Sequence, residues 1–89
     1  MQKYYVYILV SNHNRRYIGY TSNLEQRLSQ HNRKHRGFTN IATEWKIEVA
    51  RECQTKEEAM TLEKYLKSFK NAKKAVTYLQ KIVGLEHPD

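Results

Sequence analysis

The chain has 89 residues and carries sixteen Lys and Arg against nine Asp and Glu, a formal net charge of +7. That length makes one domain, able to bury only about 60–65% of the surface its unfolded form exposes. The single cysteine, Cys53, excludes an intramolecular disulfide framework, and the longest apolar run, Tyr4 to Val10, is far too short to cross a membrane.

With no cleavable signal pattern ahead of that run, a cytoplasmic protein without a membrane span is expected. The basic excess favours a polyanionic partner, most often nucleic acid and less often an anionic membrane surface. Composition alone fits a soluble domain with a positive surface equally well.

Tyr4 to Val10 is aromatic and β-branched without polar alternation, which predicts a strand covered on both faces. Ser11-Asn12-His13-Asn14 is a polar turn cluster, and Arg16 to Thr21 predicts a second strand, so the two form an antiparallel hairpin. Ser22 with Glu25 reads as a capping box opening a helix, with Leu24, Leu28 and His31 at helical spacing. That helix fades through Asn32 to Arg36 and stops near Gly37. Phe38 to Thr43 reads as a connection.

Trp45 to Glu52 alternates, with Trp45, Ile47 and Val49 on one face and Lys46, Glu48 and Ala50 on the other, predicting a third strand. Thr55 with Glu58 is a second capping box, and Ala59, Leu62, Tyr65, Leu66 and Phe69 form the stripe of a second helix. Asn71 interrupts the chain before a last helix carrying Ala75, Val76, Leu79, Ile82 and Val83, with Gly84 as its C-cap. The expected fold is α/β (α+β): a small three-stranded antiparallel or mixed sheet flanked by helices, in the order ββαβα plus a C-terminal helix. Residues 1–84 would form the single domain and 85–89 a short tail.

Several residues are out of place for a simple core. Leu24, Leu28 and His31 fall along one meridian at about 100° per residue, with Arg27 beside them, one turn before His31. An Arg and a His are therefore expected against the sheet, though a rim arginine and a satisfied core histidine are the commoner explanation. Glu63 lies at the margin of the second helix's stripe, with Lys67 and Lys70 on its flank, where simple pairing with a lysine is the ordinary outcome. From Lys64 to Lys81 there are six lysines (64, 67, 70, 73, 74 and 81) and no acid. Such a run is usually a solvated face, but it also supplies the cations that phosphate contacts need.

His31 and His35 share the spacing of a zinc pair, but no third ligand lies near them in sequence. One glycine in Tyr17-Ile18-Gly19 makes no phosphate-cradling loop, and no Ser or Cys nucleophile motif is present.

Tyr5-Val6-Tyr7, then Tyr17-Ile18-Gly19, Asn23-Leu24-Glu25-Gln26-Arg27 with His31, and Glu63 within "LEKYLKSFKNAKK" together resemble the GIY-YIG nuclease superfamily, most closely its small single-domain bacterial branch. The likeness runs in order from Tyr4 to about Lys74. It implies a cleft where the tyrosines, Arg27, His31 and Glu63 meet, and hydrolysis of phosphodiester bonds with one divalent ion, Mg2+ or Mn2+. By that resemblance Glu63 is the metal ligand and Arg27 holds the scissile phosphate. Tyr7 or Tyr17 delivers the nucleophilic water, assisted by His31, and the nucleic-acid contacts are Arg27, Lys67, Lys70, Lys73 and Lys74.

The chemistry suits those residue types. A lone carboxylate completed by water and phosphate oxygens fits magnesium, and a guanidinium offers the phosphate a planar fork. A phenol is a poorer base: with a pKa near 10, ionising it at neutral pH costs roughly 4 kcal/mol, although neighbouring cations typically lower such a pKa by about one to three units. His31 could accept the proton instead, leaving a phenol to orient the water. Tyr7 and Tyr17 share a sheet face only if paired residue numbers in the hairpin sum to an even value, as with Leu9 opposite Tyr17. Gly19 would then leave open space for substrate.

Tyr5 stands where the family motif has glycine, and Asn71 is the candidate for an asparagine that some members use late in the domain. The larger homing, repair and restriction enzymes of the superfamily carry a DNA-reading domain that these motifs do not include, so low sequence specificity is expected. The resulting expectation is a metal-dependent endonuclease acting on DNA, with branched, nicked or damaged DNA as candidate substrates, RNA as a further one and oligomeric state open. The alternatives are a non-catalytic DNA- or RNA-binding module on the same fold and, less favoured, an adaptor for an acidic protein.

Overall fold

The computed structural model describes residues 2–33 and 44–86. The elements follow the expected order: β1 (Tyr4–Ser11), β2 (Arg16–Thr21), α1 (Leu24–Arg33), β3 (Trp45–Cys53), α2 (Lys56–Lys67) and α3 (Ala72–Glu86). Both strand pairings are antiparallel, and the sheet order is β2-β1-β3. The central place of β1 explains its unbroken apolar run, because Val6, Tyr7, Ile8 and Leu9 are all buried.

The hairpin turn is built by polar side chains. Ser11 Oγ accepts from the backbone N–H groups of His13 and Arg15, both at 3.1 Å, and Asn14 takes the left-handed conformation with φ 63°. Asparagine tolerates that region better than most residues, so no glycine is required. The turn sets the register, which pairs Tyr7 with Gly19 and Leu9 with Tyr17.

The two faces of the sheet have different covers. Val6, Ile8 and Cys53 join Ala59 and Leu66 of α2 and Ala75, Val76 and Leu79 of α3 in one core, with Ile18, Tyr20 and Val49 against it. On the other face, His31 of α1 sits against the rings of Tyr17 and Trp45. The far end of α1 is tied to β3 through Asn32, whose Oδ1 accepts from the Trp45 N–H at 2.8 Å.

Four local expectations change. The residue that caps α1 is Asn23 rather than Ser22: its Oδ1 accepts from the Gln26 N–H at 3.1 Å, while its own N–H donates to Thr21 Oγ1. In β3 the register skips Glu48, pairing Val49 with Ile8 but Ile47 with Leu9. This bulge places Val49 on the core face and Ile47 on the opposite one, so the three residues of the alternating series do not share a side. Glu48 is held by Arg16, whose Nε donates to its carboxylate at 2.8 Å. Third, Tyr65 lies outside the buried stripe of α2 and is 47% exposed.

The fourth concerns the last helix, which does not end at Gly84 but continues to Glu86. The cause is Arg51 of β3, whose guanidinium donates to Glu86 at 2.6 and 2.9 Å and to Glu58 of α2 at 3.3 Å. The end of α3 is therefore anchored to the start of α2 through one arginine.

One cap at a helix start stands as expected, and Asn71, expected to interrupt the chain, supplies another. Thr55 Oγ1 accepts from the Glu58 N–H, and the Glu58 carboxylate accepts in return from the Gln54 N–H. Asn71 Oδ1 accepts from the Lys73 N–H at 2.8 Å, so its side chain caps α3. His35 and Gly37 lie outside the described residues.

A Cβ added at Gly84 meets nothing within 4 Å. Gly84→Ala is therefore expected to stabilise the protein by about 0.5–1 kcal/mol, read as a higher midpoint in urea denaturation with an unchanged slope.

Candidate functional site

The register decides the site. Because paired numbers in the hairpin sum to an even value, Tyr7, Tyr17 and Gly19 share the α1 face of the sheet. The rings of Tyr7 and Tyr17 lie nearly parallel, with centroids 6.2 Å apart and an interplanar angle of 22°. His31 meets the Tyr17 ring edge-on at 4.4 Å, and Trp45 follows at 5.7 Å from His31.

Gly19 is needed here for a reason other than open space. A Cβ at position 19 would stand 2.7 Å from the Tyr7 hydroxyl and 3.0 Å from both the Tyr7 and Tyr17 rings. The space a side chain would fill is already taken by the Tyr7 phenol, which the glycine lets lie flat across β2.

A cleft of about 380 Å³ opens beside these rings. Tyr7, Tyr17 and Gly19 form one wall, Arg27 enters from α1, and Glu63 enters from α2. Four of the five residues expected to act together thus line one cavity, and the fifth, His31, touches Tyr17 behind it. Arg27 is exposed on the flank of α1 rather than packed on the sheet, so its guanidinium faces the cleft opening.

The two phenols differ sharply. Tyr7 is 1% exposed, whereas Tyr17 is 42% exposed. Burial pushes the Tyr7 pKa up to about 12; Arg27 draws it down, while Tyr17 and Glu63 add to the rise. At neutral pH Tyr7 is a protonated phenol. Burial also raises the Cys53 thiol, which lies in the core on the opposite face, so a thiolate nucleophile has no place here.

The Glu63 carboxylate is half-buried and pairs with Lys67 Nζ at 3.3 Å across one helical turn. Among the described residues no three His, Cys, Asp or Glu side chains gather as a metal cage. A single carboxylate at the wall of a polar cleft is the donor set for a hard cation that keeps most of its water, and it fits magnesium or manganese in that way. It does not fit a structural zinc site.

The lysines divide. Lys67 stands beside Glu63, Lys70 is exposed between α2 and α3, and Lys73 and Lys74 lie in the first turn of α3. The last two line a separate depression with Thr77 and Tyr78.

Lys56, Tyr4 and Tyr20, none of them singled out from the sequence, also line the cleft. Lys56 had a usable signal: it precedes Glu63 by seven residues, two helical turns, and so shares its face. Tyr4 and Tyr20 had none, since their place depends on how α2 lies against the hairpin.

The hairpin with its paired tyrosines, the arginine on the first helix and the glutamate on the second define a nuclease-like α+β domain. Residues 3–76 match the family described as the GIY-YIG catalytic domain, and the chain belongs to that family. It is also similar to the solution NMR structure of the UPF0213 protein BH0048 from Bacillus halodurans, at 28% identity and a TM-score of 0.53, over 97% of this chain and 87% of that one. None of the curated proteins matches the chain. Family membership implies a nucleic-acid substrate, and nucleases of the family are generally metal-dependent. No helix among the described residues is long and apolar enough to cross a membrane.

The contact between Tyr7 and position 19 can be tested by a double-mutant cycle. Gly19→Ala is expected to cost about 1–3 kcal/mol in urea denaturation, and less in a Tyr7→Phe background, where the closest atom is gone. Equal costs in both backgrounds would show that the Tyr7 hydroxyl does not fill the space over Gly19.

Proposed function

We propose that this protein is a metal-dependent endonuclease that hydrolyses phosphodiester bonds in DNA with low sequence specificity. The observation that carries the reading is the convergence of Tyr7, Tyr17, Arg27 and Glu63 on one cleft. A carboxylate beside a phosphate-binding arginine is costly for pure binding, because it repels the phosphate it faces. It is useful when a divalent cation stands between the two.

Glu63 would hold that cation, Mg2+ or Mn2+, which supplies charge stabilisation at the leaving oxygen. Arg27 would grip the scissile phosphate through its planar fork, with Lys56 adding positive charge at the cleft wall. Ionising Tyr7 at neutral pH, from a pKa of about 12, costs roughly 7 kcal/mol. Its better role is to donate a hydrogen bond that orients the attacking water. Tyr17 is open to solvent and in contact with His31, so this pair can reach a water in the cleft, with the imidazole as the group that accepts its proton.

DNA that is branched, nicked or damaged suits recognition through phosphate contacts from Arg27 and the lysines, because such contacts carry no sequence information. Lys67, Lys70, Lys73 and Lys74 would add phosphate contacts, and RNA could be bound through the same groups. A cytoplasmic location is in keeping with the single free cysteine, Cys53. The second reading, a binding module without catalysis, would use Arg27 and the lysines alone.

The test is nicking of supercoiled and branched DNA with Mg2+ or Mn2+. Glu63→Ala is expected to lower the rate at least about 100-fold and Tyr17→Phe by a similar factor. Equal nicking by wild type and both variants would overturn the catalytic reading, and tight binding by wild type without any cutting would favour the binding module.

A further inference from the structure

A depression of about 500 Å³, distinct from the tyrosine-lined cleft, forms a groove over α2 and α3. Its apolar floor is Leu62, Tyr65 and Tyr78, while Glu57 and Glu58 stand at the end nearer the start of α2. Tyr65, Phe69 and Tyr78 touch in a closed triangle of rings, with centroids 5.1, 5.1 and 5.7 Å apart. Phe69 and Tyr78 are partly buried against the core, so they hold the Tyr65 ring in place while 47% of that residue stays exposed. A lone exposed tyrosine needs no explanation, but a fixed one beside a groove provides an aromatic face already set in position.

Tyr78 also lines the neighbouring depression with Lys73, Lys74 and Thr77. The aromatic floor and the two cations are therefore continuous through one residue. Lys73 and Lys74 occupy the first turn of α3, where the positive end of the helix dipole disfavours cations and no acid is present to offset them. Their position does nothing for the helix, whose start Asn71 already caps, and an anion bound there would offset the two lysine charges.

We propose that this surface binds a single-stranded segment of DNA, with an unpaired base stacked on the Tyr65 ring, the tilted Tyr78 ring at its edge, and its phosphate held by Lys73 and Lys74. The inference rests on the nucleic-acid reading given above and names the substrate class more closely: DNA with an unpaired flap or overhang. A base in a duplex has both faces stacked already, so only an unpaired one can present its face to these rings. An acidic peptide would use the lysines but has no need of the exposed aromatic ring. Tyr65 lies two residues beyond Glu63, on the far flank of the same helix, so the two sites are separated by about a helix width, 10–12 Å.

The experiment is fluorescence anisotropy with a short labelled single strand and a blunt duplex of the same sequence, both without added metal. Tyr65→Ala is expected to raise the single-strand Kd about 5- to 150-fold and to leave the duplex Kd within about twofold, while Tyr65→Trp retains single-strand binding. Unchanged single-strand affinity in Tyr65→Ala overturns the proposal, as does an equal loss on duplex. Displacement of the bound strand by a polyglutamate peptide that binds wild type and Tyr65→Ala equally also overturns it, in favour of an acidic-protein partner. Wild type that binds single strands through Tyr65 but never nicks DNA supports this site while removing the nuclease reading.

Discussion

The site depends on one close contact: the Tyr7 phenol lying over Gly19 of the neighbouring strand. The contact fixes the register of the hairpin as much as it follows from it, because a slip of one residue would oppose Tyr7 with a side chain and turn Tyr17 to the other face. With the register held, Tyr7 is buried and protonated, Tyr17 is left open beside it, and His31 has a ring to pack on. The asymmetry between the two phenols is therefore a property of the sheet. It is not something either tyrosine carries alone.

The opposite face of the sheet provides the rigidity this arrangement needs. There Val6, Ile8 and Cys53 meet the apolar sides of α2 and α3, and Arg51 joins β3 to both helices through Glu58 and Glu86. Placing α2 in this way brings Glu63 to the cleft without a loop, since the residue sits on the flank of a helix whose core side is already fixed. A functional carboxylate on a packed helix is held more accurately than one on a mobile connection. The same helix carries Tyr65 on its other flank, so the packing that aims Glu63 at the cleft also leaves an aromatic ring at the surface.

Element order, the hairpin, the cap at Thr55 and the burial of β1 on both faces were legible because each is written in local sequence. Lost to sequence were features that depend on what lies opposite. The bulge at Glu48 leaves an alternating pattern intact in the sequence while reversing the side that Val49 faces. Gly84 looks like a helix stop until Arg51, from a distant strand, holds the turn beyond it. Tyr65 fits the helical stripe by spacing, but α3 packs so that its ring stays at the edge. In the site, the residue types of the motifs were visible, but the burial that separates Tyr7 from Tyr17 and the true use of Gly19 needed the third dimension.

The central claim is that Glu63 is where a divalent cation meets the tyrosine-lined cleft. Titrating Mn2+ into isotope-labelled protein and following paramagnetic broadening of backbone amide signals tests it without relying on activity. The account predicts selective broadening around Glu63, Tyr7 and Gly19, abolished by Glu63→Gln. Broadening centred on Glu57 and Glu58 instead, or unchanged in the Glu63→Gln protein, would contradict it.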